Sequence, residues 1–426
     1  IIGIIGAAGA NYMSIEFHGE GVKSLGISER MTIANLASEM GAKNAVFPPD
    51  EILANFYGQS EINGVWADND ANYAKELEIN LEDMFPVVAA PHNVENVKAL
   101  QEVIGTPINE AFIGTCTNGR IEDLREAANI LKNNKIKDGV QLIITPASQQ
   151  IYLQAIKEGI IEIFVKAGGN VLTASCGPCL GTGQGIPADG FTVISTANRN
   201  FLGRMGNPKA KIFLASPAVV AYSAIKGQIA DPREMWNIKI KSEKFEHNIT
   251  QSPTPIIKAD ENRRINSVWN YADIDNLNTD QMFAGNLTYK VLSSDPESIV
   301  PHLFAGFDTN FSKNAQKDDI IIAGDNFGCG SSREHPAVGL AHIGIKAIIV
   351  KSVNRIFFRS SINQGLLLIV HPKAVEAYKN GDKVDIDFDN GKIFIADKTF
   401  DFSPLPSKLM DIVKKKGLIN WINATK

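Results

Sequence analysis

The chain has 426 residues, 44% hydrophobic and 21% charged, a balance that suits about two to four soluble globular domains with real cores. Its formal net charge is −5 and no segment gathers Lys or Arg into a basic face, which argues against nucleic acid or an anionic membrane surface as partner. Four cysteines in this length do not make a disulfide framework; they favour a reducing, cytoplasmic setting in which thiols serve metals or catalysis.

In chain order, 1-IIGIIGAAGA-10 is too short to span a bilayer and has no basic flank or cleavage signal. It reads as a buried strand entering a glycine turn. No Met opens the chain, so a fragment, or a chain whose N-terminal part lies outside this sequence, is expected. The segment 28-SERMTIANLASEMGA-42 predicts a helix with Ser28 as N-cap and Gly41 near its end. A strand-then-helix rhythm follows. Strand 110–115 precedes helix 120–133, strand 141–146 precedes helix 148–159, and 170–175 and 191–196 read as further strands. Repeated units of this kind predict a parallel sheet with helices on both faces, with ligands at the C-terminal ends of the strands. The polar, proline-bearing stretch 242–264 is the best linker candidate. Beyond it, strand 318–324, a glycine-rich turn, helix 332–344 and strand 345–352 form a second unit.

Two cysteines three apart stand in the glycine-rich stretch 169-GNVLTASCGPCLGTGQG-185, and a third in 113-IGTCTNGR-120. Four readings are open from spacing alone. A redox dithiol usually opens a helix, and a structural zinc site wants a fourth ligand nearby. An iron–sulfur cluster suits amide-rich glycine loops, whose N–H groups stabilise its sulfides. Small buried thiols would serve packing alone.

The order 115-TCTNGRIEDL-124, 175-SCGPC-179, 198-NRNFLGR-204 and 324-GDNFGCGSSREH-335 resembles the aconitase and isopropylmalate isomerase superfamily along essentially the whole chain. The resemblance implies an α/β fold of three-layer α/β/α domains plus a C-terminal swivelling β/α domain. By it, residues 1–95 are most of the second α/β domain, 96–238 the third with the cluster cysteines, 239–265 a linker, and 266–426 the swivel domain. It implies a [4Fe-4S] cluster held by Cys116, Cys176 and Cys179, with one iron not ligated by cysteine. An open iron of that kind can act as a Lewis acid on a hydroxyl leaving group, which explains three thiolates rather than four. Cys329 matches no ligand position and reads as a small residue packed in a tight loop.

The same resemblance makes Ser331 the base and Glu39 a second catalytic residue, with Ser332, Arg333, Arg199 and Arg204 binding substrate and Asn35 and Asn198 beside the cluster. Independently of it, a serine at a glycine-rich helix N-terminus sees backbone donors and a positive dipole end, although an ordinary N-cap or phosphate loop has the same look. Arginine forks suit carboxylates, although surface arginines are commoner. Asn35 and Glu39, four apart, share a face of the predicted helix. The implied activity is a hydro-lyase of the tricarboxylic acid cycle type, interconverting citrate and isocitrate through cis-aconitate in a compact fused bacterial-type enzyme. The alternative is 3-isopropylmalate dehydratase or homoaconitase; an RNA-binding regulator is the reading from another class, opposed by the acidic balance. The substrate is a small di- or tricarboxylate. The family's N-terminal domain, with its histidine–aspartate pairs, has no counterpart here. This chain alone is therefore expected to lack a complete site, with a separate N-terminal-domain chain as a candidate partner. The segment 284-AGNLTYKVL-292, after 278-NTDQMF-283, lies where the family's loop chooses the substrate's third substituent.

Overall fold

The computed structural model describes residues 1–238, 243–245, 263–288 and 290–425. They fall into two compact units, one within 1–179, 183–200 and 210–249, the other within 180–182, 201–209 and 250–426. Most of the expected linker 239–265 lies outside the described residues.

The first unit opens with a parallel pair, β1 (Ser14–Glu16) and β2 (Asn44–Val46). Its main sheet holds β3 (Val87–Ala89), β4 (Val97–Ala99), β5 (Glu110–Ile113), β6 (Gln141–Ile144), β7 (Asn170–Val171), β8 (Thr192–Ser195) and β9 (Lys211–Leu214). The spatial order is β4-β3-β9-β8-β5-β6-β7, parallel from β9 to β7, with β3 and β4 antiparallel at one edge. All four residues of β5 are buried, as a central strand covered on both faces requires. Ile113, Ile144 and Ile194 meet Leu124 and Ile130 of the helix Ile121–Leu131, Phe164 of Ile160–Ala167 and Val220 of Pro217–Lys226 in one core.

In the second unit β10 (Arg264–Ile265) pairs antiparallel with β11 (Val268–Tyr271), and β12 (Ile320–Ala323), β13 (Ala347–Val350) and β14 (Leu368–Val370) follow in parallel. The period-two alternation of strands divides the core. Trp269, Tyr271, Ile321 and Ala323 face a cluster with Phe283, Phe304 and Phe311. Val268, Ile320 and Ile322 face the antiparallel meander β15 (Val384–Asp387), β16 (Lys392–Ile395) and β17 (Lys398–Asp401). The α/β class and the parallel sheets read from the sequence are therefore present.

Four local expectations are corrected. Residues 2–5 form a short helix rather than a strand: the Ile5 and Gly6 amides bond back to the Ile1 and Ile2 carbonyls, so the run needs no sheet neighbour. The next helix is Ile27–Leu36 and starts behind Gly26, whose N–H donates to Glu29 (2.6 Å). Ser28 is already inside it and donates instead to Glu122 (2.7 Å). Past Leu36 the chain tightens into the 3₁₀ turn Ala37–Met40 and stops at left-handed Gly41. The predicted strand 170–175 pairs only over Asn170 and Val171 before the cysteine loop leaves the sheet. Among the described residues, no helix is long and apolar enough to cross a membrane.

Candidate active site

The expected site residues collect into two clusters, one in each unit. In the first unit, β5 ends at Gly114 and the chain turns at once into Thr115–Asn118, carrying Cys116. Gly114 has φ 157°, and a Cβ there would lie 2.1 Å from the Thr145 hydroxyl oxygen and 2.6 Å from its carbonyl oxygen, so no larger residue fits. Thr115 takes a left-handed φ of 81°, a strained value for a β-branched residue of the sort that gathers at functional loops. Its Oγ1 accepts from the Thr117 and Asn118 amides at 3.3 Å each, which ties the turn together.

Side chains lock this turn to its neighbours. The Thr117 hydroxyl donates to Asn198 Oδ1 (2.6 Å) and accepts from Asn35 Nδ2 (3.4 Å); Cys116 Sγ lies 3.9 Å from the same hydroxyl. Asn118 donates to the Thr196 carbonyl at 2.9 Å. Arg120 reaches the Thr117 and Ser28 carbonyls and Thr32 Oγ1, pinning the cysteine turn to the Ile27–Leu36 helix. Burial holds Asp123 at about 6, well above the usual carboxylate range, although its Oδ2 accepts from the Arg120 amide. Glu39 and Arg199 form an ion pair at 2.6 Å, with 4% and 18% of their side chains exposed. Asn35 and Glu39 are thus both at the cluster, but the 3₁₀ turn rather than a continuous helix face delivers Glu39.

Cys176 and Cys179 bracket the start of a 3₁₀ turn, Gly177–Leu180, in which the Cys179 amide bonds the Cys176 carbonyl at 3.1 Å. Glycines with positive φ at 177, 181, 183 and 185 let this loop coil back on itself. None of the four cysteines is in a disulfide; Cys116 and Cys176 are exposed, Cys179 is half-buried and Cys329 is buried. Among the described residues, no group of three or more His, Cys, Asp or Glu side chains is drawn together tightly enough to hold a metal ion. In a multi-iron cluster each cysteine binds a different iron, so the ligands need not converge on one point. Three thiols on amide-rich loops beyond β5 and β7, two of them open to solvent, fit such a cluster in donor chemistry and access.

The second cluster surrounds Ser331. Gly328 and Gly330 have φ 73° and 101°, and a Cβ on Gly328 would lie 2.3 Å from the Phe357 ring, so this loop also depends on glycine. Thr279 is its anchor: its amide donates to the Cys329 carbonyl (2.8 Å) and its Oγ1 accepts from the Ser331 amide (2.7 Å). The Thr279 and Ser331 hydroxyl oxygens lie 2.9 Å apart, a hydrogen bond in which either can donate, and the Thr279 hydroxyl also reaches the Ser331 carbonyl at 3.4 Å. Arg333 Nε donates to the same Ser331 oxygen at 2.8 Å. The other guanidinium nitrogens bond the Phe283 carbonyl (3.0 Å), Thr288 Oγ1 (3.2 Å) and the carboxylate of Asp280. Asp280 has a wholly buried side chain and also lies 3.9 Å from Arg204 Nη1. Ser332 is exposed beside this network.

Two details differ from the sequence reading. The helix after the loop is His335–Ile343, with Glu334 before it, so the groups bonded to the Ser331 hydroxyl are Arg333 and Thr279 rather than helix N–H groups. Thr279 and Asp280, neither singled out beforehand, supply the anchor and the counter-charge. Their signal was present in 278-NTDQMF-283, where Asn278 accepts from the Asp280 and Gln281 amides and starts a short helix that aims both side chains.

Residues 1–227 match the model of the aconitase family (aconitate hydratase), and residues 257–374 that of the aconitase C-terminal domain. The chain is 54% identical over 238 residues to 3-isopropylmalate dehydratase large subunit 2 of Archaeoglobus fulgidus, covering 55% of this chain and 57% of that protein. It is 49% identical over 239 residues to the 3-isopropylmalate dehydratase large subunit of Elusimicrobium minutum, again covering 55% and 57%. The chain therefore spans little more than half the length of these two relatives. Mitochondrial homoaconitase of Debaryomyces hansenii is 34% identical over 465 aligned positions, covering 96% of this chain and 67% of that protein. With its cysteine turns, its serine–arginine loop and both family models matched in order, the chain belongs to the aconitase family.

Proposed function

We propose that this chain carries the cluster-binding and C-terminal parts of a hydro-lyase that isomerises a hydroxy acid by dehydration and rehydration, with 3-isopropylmalate as substrate. The identities to isopropylmalate dehydratase large subunits support this reading over the citrate–isocitrate reaction expected first from the sequence. Homoaconitate chemistry is the second reading, favoured by the homoaconitase alignment over 96% of the chain. Cys116, Cys176 and Cys179 would hold a [4Fe-4S] cluster, which when bound supplies a Lewis acid for the departing hydroxyl.

The observation that carries the proposal is the Ser331 hydroxyl oxygen, held by Arg333 Nε at 2.8 Å and facing the Thr279 hydroxyl at 2.9 Å. A guanidinium N–H donating to this oxygen, beside a hydroxyl that can turn its proton toward it, stabilises negative charge there, and so favours the alkoxide that takes a proton from the carbon next to the leaving group. Arg333 and Arg204, partly neutralised by Asp280, present guanidinium groups to a substrate carboxylate, with the exposed Ser332 hydroxyl beside them. Arg199 does the same in the other cluster, and its pairing with Glu39 keeps that carboxylate oriented. Asn35 and Asn198 hold Thr117 and thereby the Cys116 turn. The domain limits near residues 95, 239 and 265 belong to the same proposal. So does a further chain completing the enzyme, which the subunit names of the relatives support.

The test is turnover by the full-length enzyme containing this chain, loaded anaerobically with iron and sulfide, on isopropylmalate, homocitrate and citrate. Isopropylmalate is expected to give the highest kcat/KM. Preference for citrate, or no turnover of any of the three, would sink the proposal.

A further inference from the structure

His335, first residue of the helix His335–Ile343, has no part in the chemistry described so far, yet it is buried to 6% exposure. Its ring stacks on Phe283 with centroids 4.6 Å apart and planes 16° from parallel. Its Nε2 lies 2.9 Å from the Val291 carbonyl oxygen, and a carbonyl only accepts, so Nε2 carries the proton. Among the described residues the buried Nδ1 has no hydrogen-bond partner, and a protonated Nδ1 would be an unsatisfied charged donor. The neutral ring with its proton on Nε2 is therefore the form this site holds.

The Phe283 ring and the Val291 carbonyl both belong to the turn on which Arg333 hangs. Phe283, whose ring His335 covers, gives its carbonyl to Arg333 Nη1 at 3.0 Å; Thr288 Oγ1 accepts from the same nitrogen at 3.2 Å. The turn closes through the Thr288 amide on the Gly285 carbonyl (3.1 Å) and the Val291 amide on the Leu287 carbonyl (2.9 Å). We propose that His335 is a positioning residue, clamping this turn at Phe283 and at Val291 and so fixing the guanidinium that holds the Ser331 oxygen. The inference rests on the hydro-lyase reading for its effect on rate, but not for its effect on the turn. Loss of the clamp lets Arg333 drift, and misplacement on the scale of an ångström is enough to cost about tenfold or more in rate.

Three forms of the full-length, cluster-loaded enzyme separate the possibilities: wild type, His335→Ala, and His335→Gln, whose amide keeps a donor for Val291. Hydrogen exchange at the Thr288 and Val291 amides is the direct readout, with Ile321 and Ile322 in β12 as fold controls. His335→Ala is expected to lose about tenfold protection at Thr288 and Val291 with the controls unchanged. Its kcat for isopropylmalate should fall about tenfold, by more than KM rises, and His335→Gln should recover most of both losses. Unchanged protection in His335→Ala, or a loosened turn with unchanged kcat, overturns the proposal. If the wild type turns over none of the three acids, the hydro-lyase reading falls, and amide exchange alone then supports or overturns the clamp.

Discussion

A serine hydroxyl is a poor base until something holds its conjugate anion, and the groups bonded to the Ser331 hydroxyl are Arg333, whose Nε donates to it, and Thr279. On the proposed function, Ser331→Ala removes the proton acceptor and leaves the arginines proposed to bind carboxylate. We therefore expect kcat to fall by about 10²- to 10⁴-fold with KM little changed. Steady-state kinetics checks this, and a KM effect with normal kcat would reassign Ser331 to binding. A second residue tests electrostatics away from the chemistry. Glu110, at the start of β5, is fully buried with neither carboxylate oxygen partnered among the described residues, and burial raises it to about 8. Between its ordinary value near 4.5 and about 8, the unfolded chain loses this proton while the folded chain keeps it. Stability then falls by at most about 1.4 kcal/mol per pH unit across that window. Glu110→Gln should flatten this decline, so denaturant unfolding at about pH 5 and about pH 8 should differ less in the variant. Parallel pH dependence of the two proteins would contradict it.

Among the elements, the turns leaving the strands matter more than the strands. The β5 turn depends on Gly114, because any side chain there would collide with Thr145 on β6's continuation. Gly114→Ala should destabilise the first unit by at least about 2 kcal/mol and cut iron bound per chain, read by unfolding and by iron analysis. Normal iron content with normal stability would show that the turn has slack. The strands and long helices around this turn were legible in the sequence, since they rest on local periodicity and caps such as Ser148, which accepts from the Ile151 amide. The Ile27–Leu36 helix was legible in place but not at its ends. Ser28 is a good capping residue, but the helix starts behind Gly26, whose amide bonds Glu29, and the Ser28 hydroxyl bonds Glu122, 94 residues away. The apolar 1–10 run misled for a related reason: Ile and Gly patterning does not say whether a strand partner exists.

For the whole molecule, the two units have separate cores, and all three proposed cluster ligands lie in the first. A bound cluster stabilises only the state that holds it. Calorimetry should therefore show iron–sulfide loading raising the transition of the first unit, with the second unmoved, and Cys176→Ser should abolish the increase and the bound iron. An equal rise in both transitions would place the ligands elsewhere.

By itself the sequence determined the α/β class, the strand–helix order, and the residues with unusual chemistry: three cysteines in glycine loops, a serine–arginine loop and the arginines after β8. Those are properties of local pattern and residue type. Tertiary structure decided which of them act together. Arg199 and Arg204 are five residues apart in the chain, yet one pairs with Glu39 in the first unit and the other approaches Asp280 in the second. Thr279 and Asp280 look like an ordinary helix start until the glycine loop 52 residues later folds onto them. Contacts of that range are fixed by how sheets bring their loop ends together, and a local pattern carries no record of it.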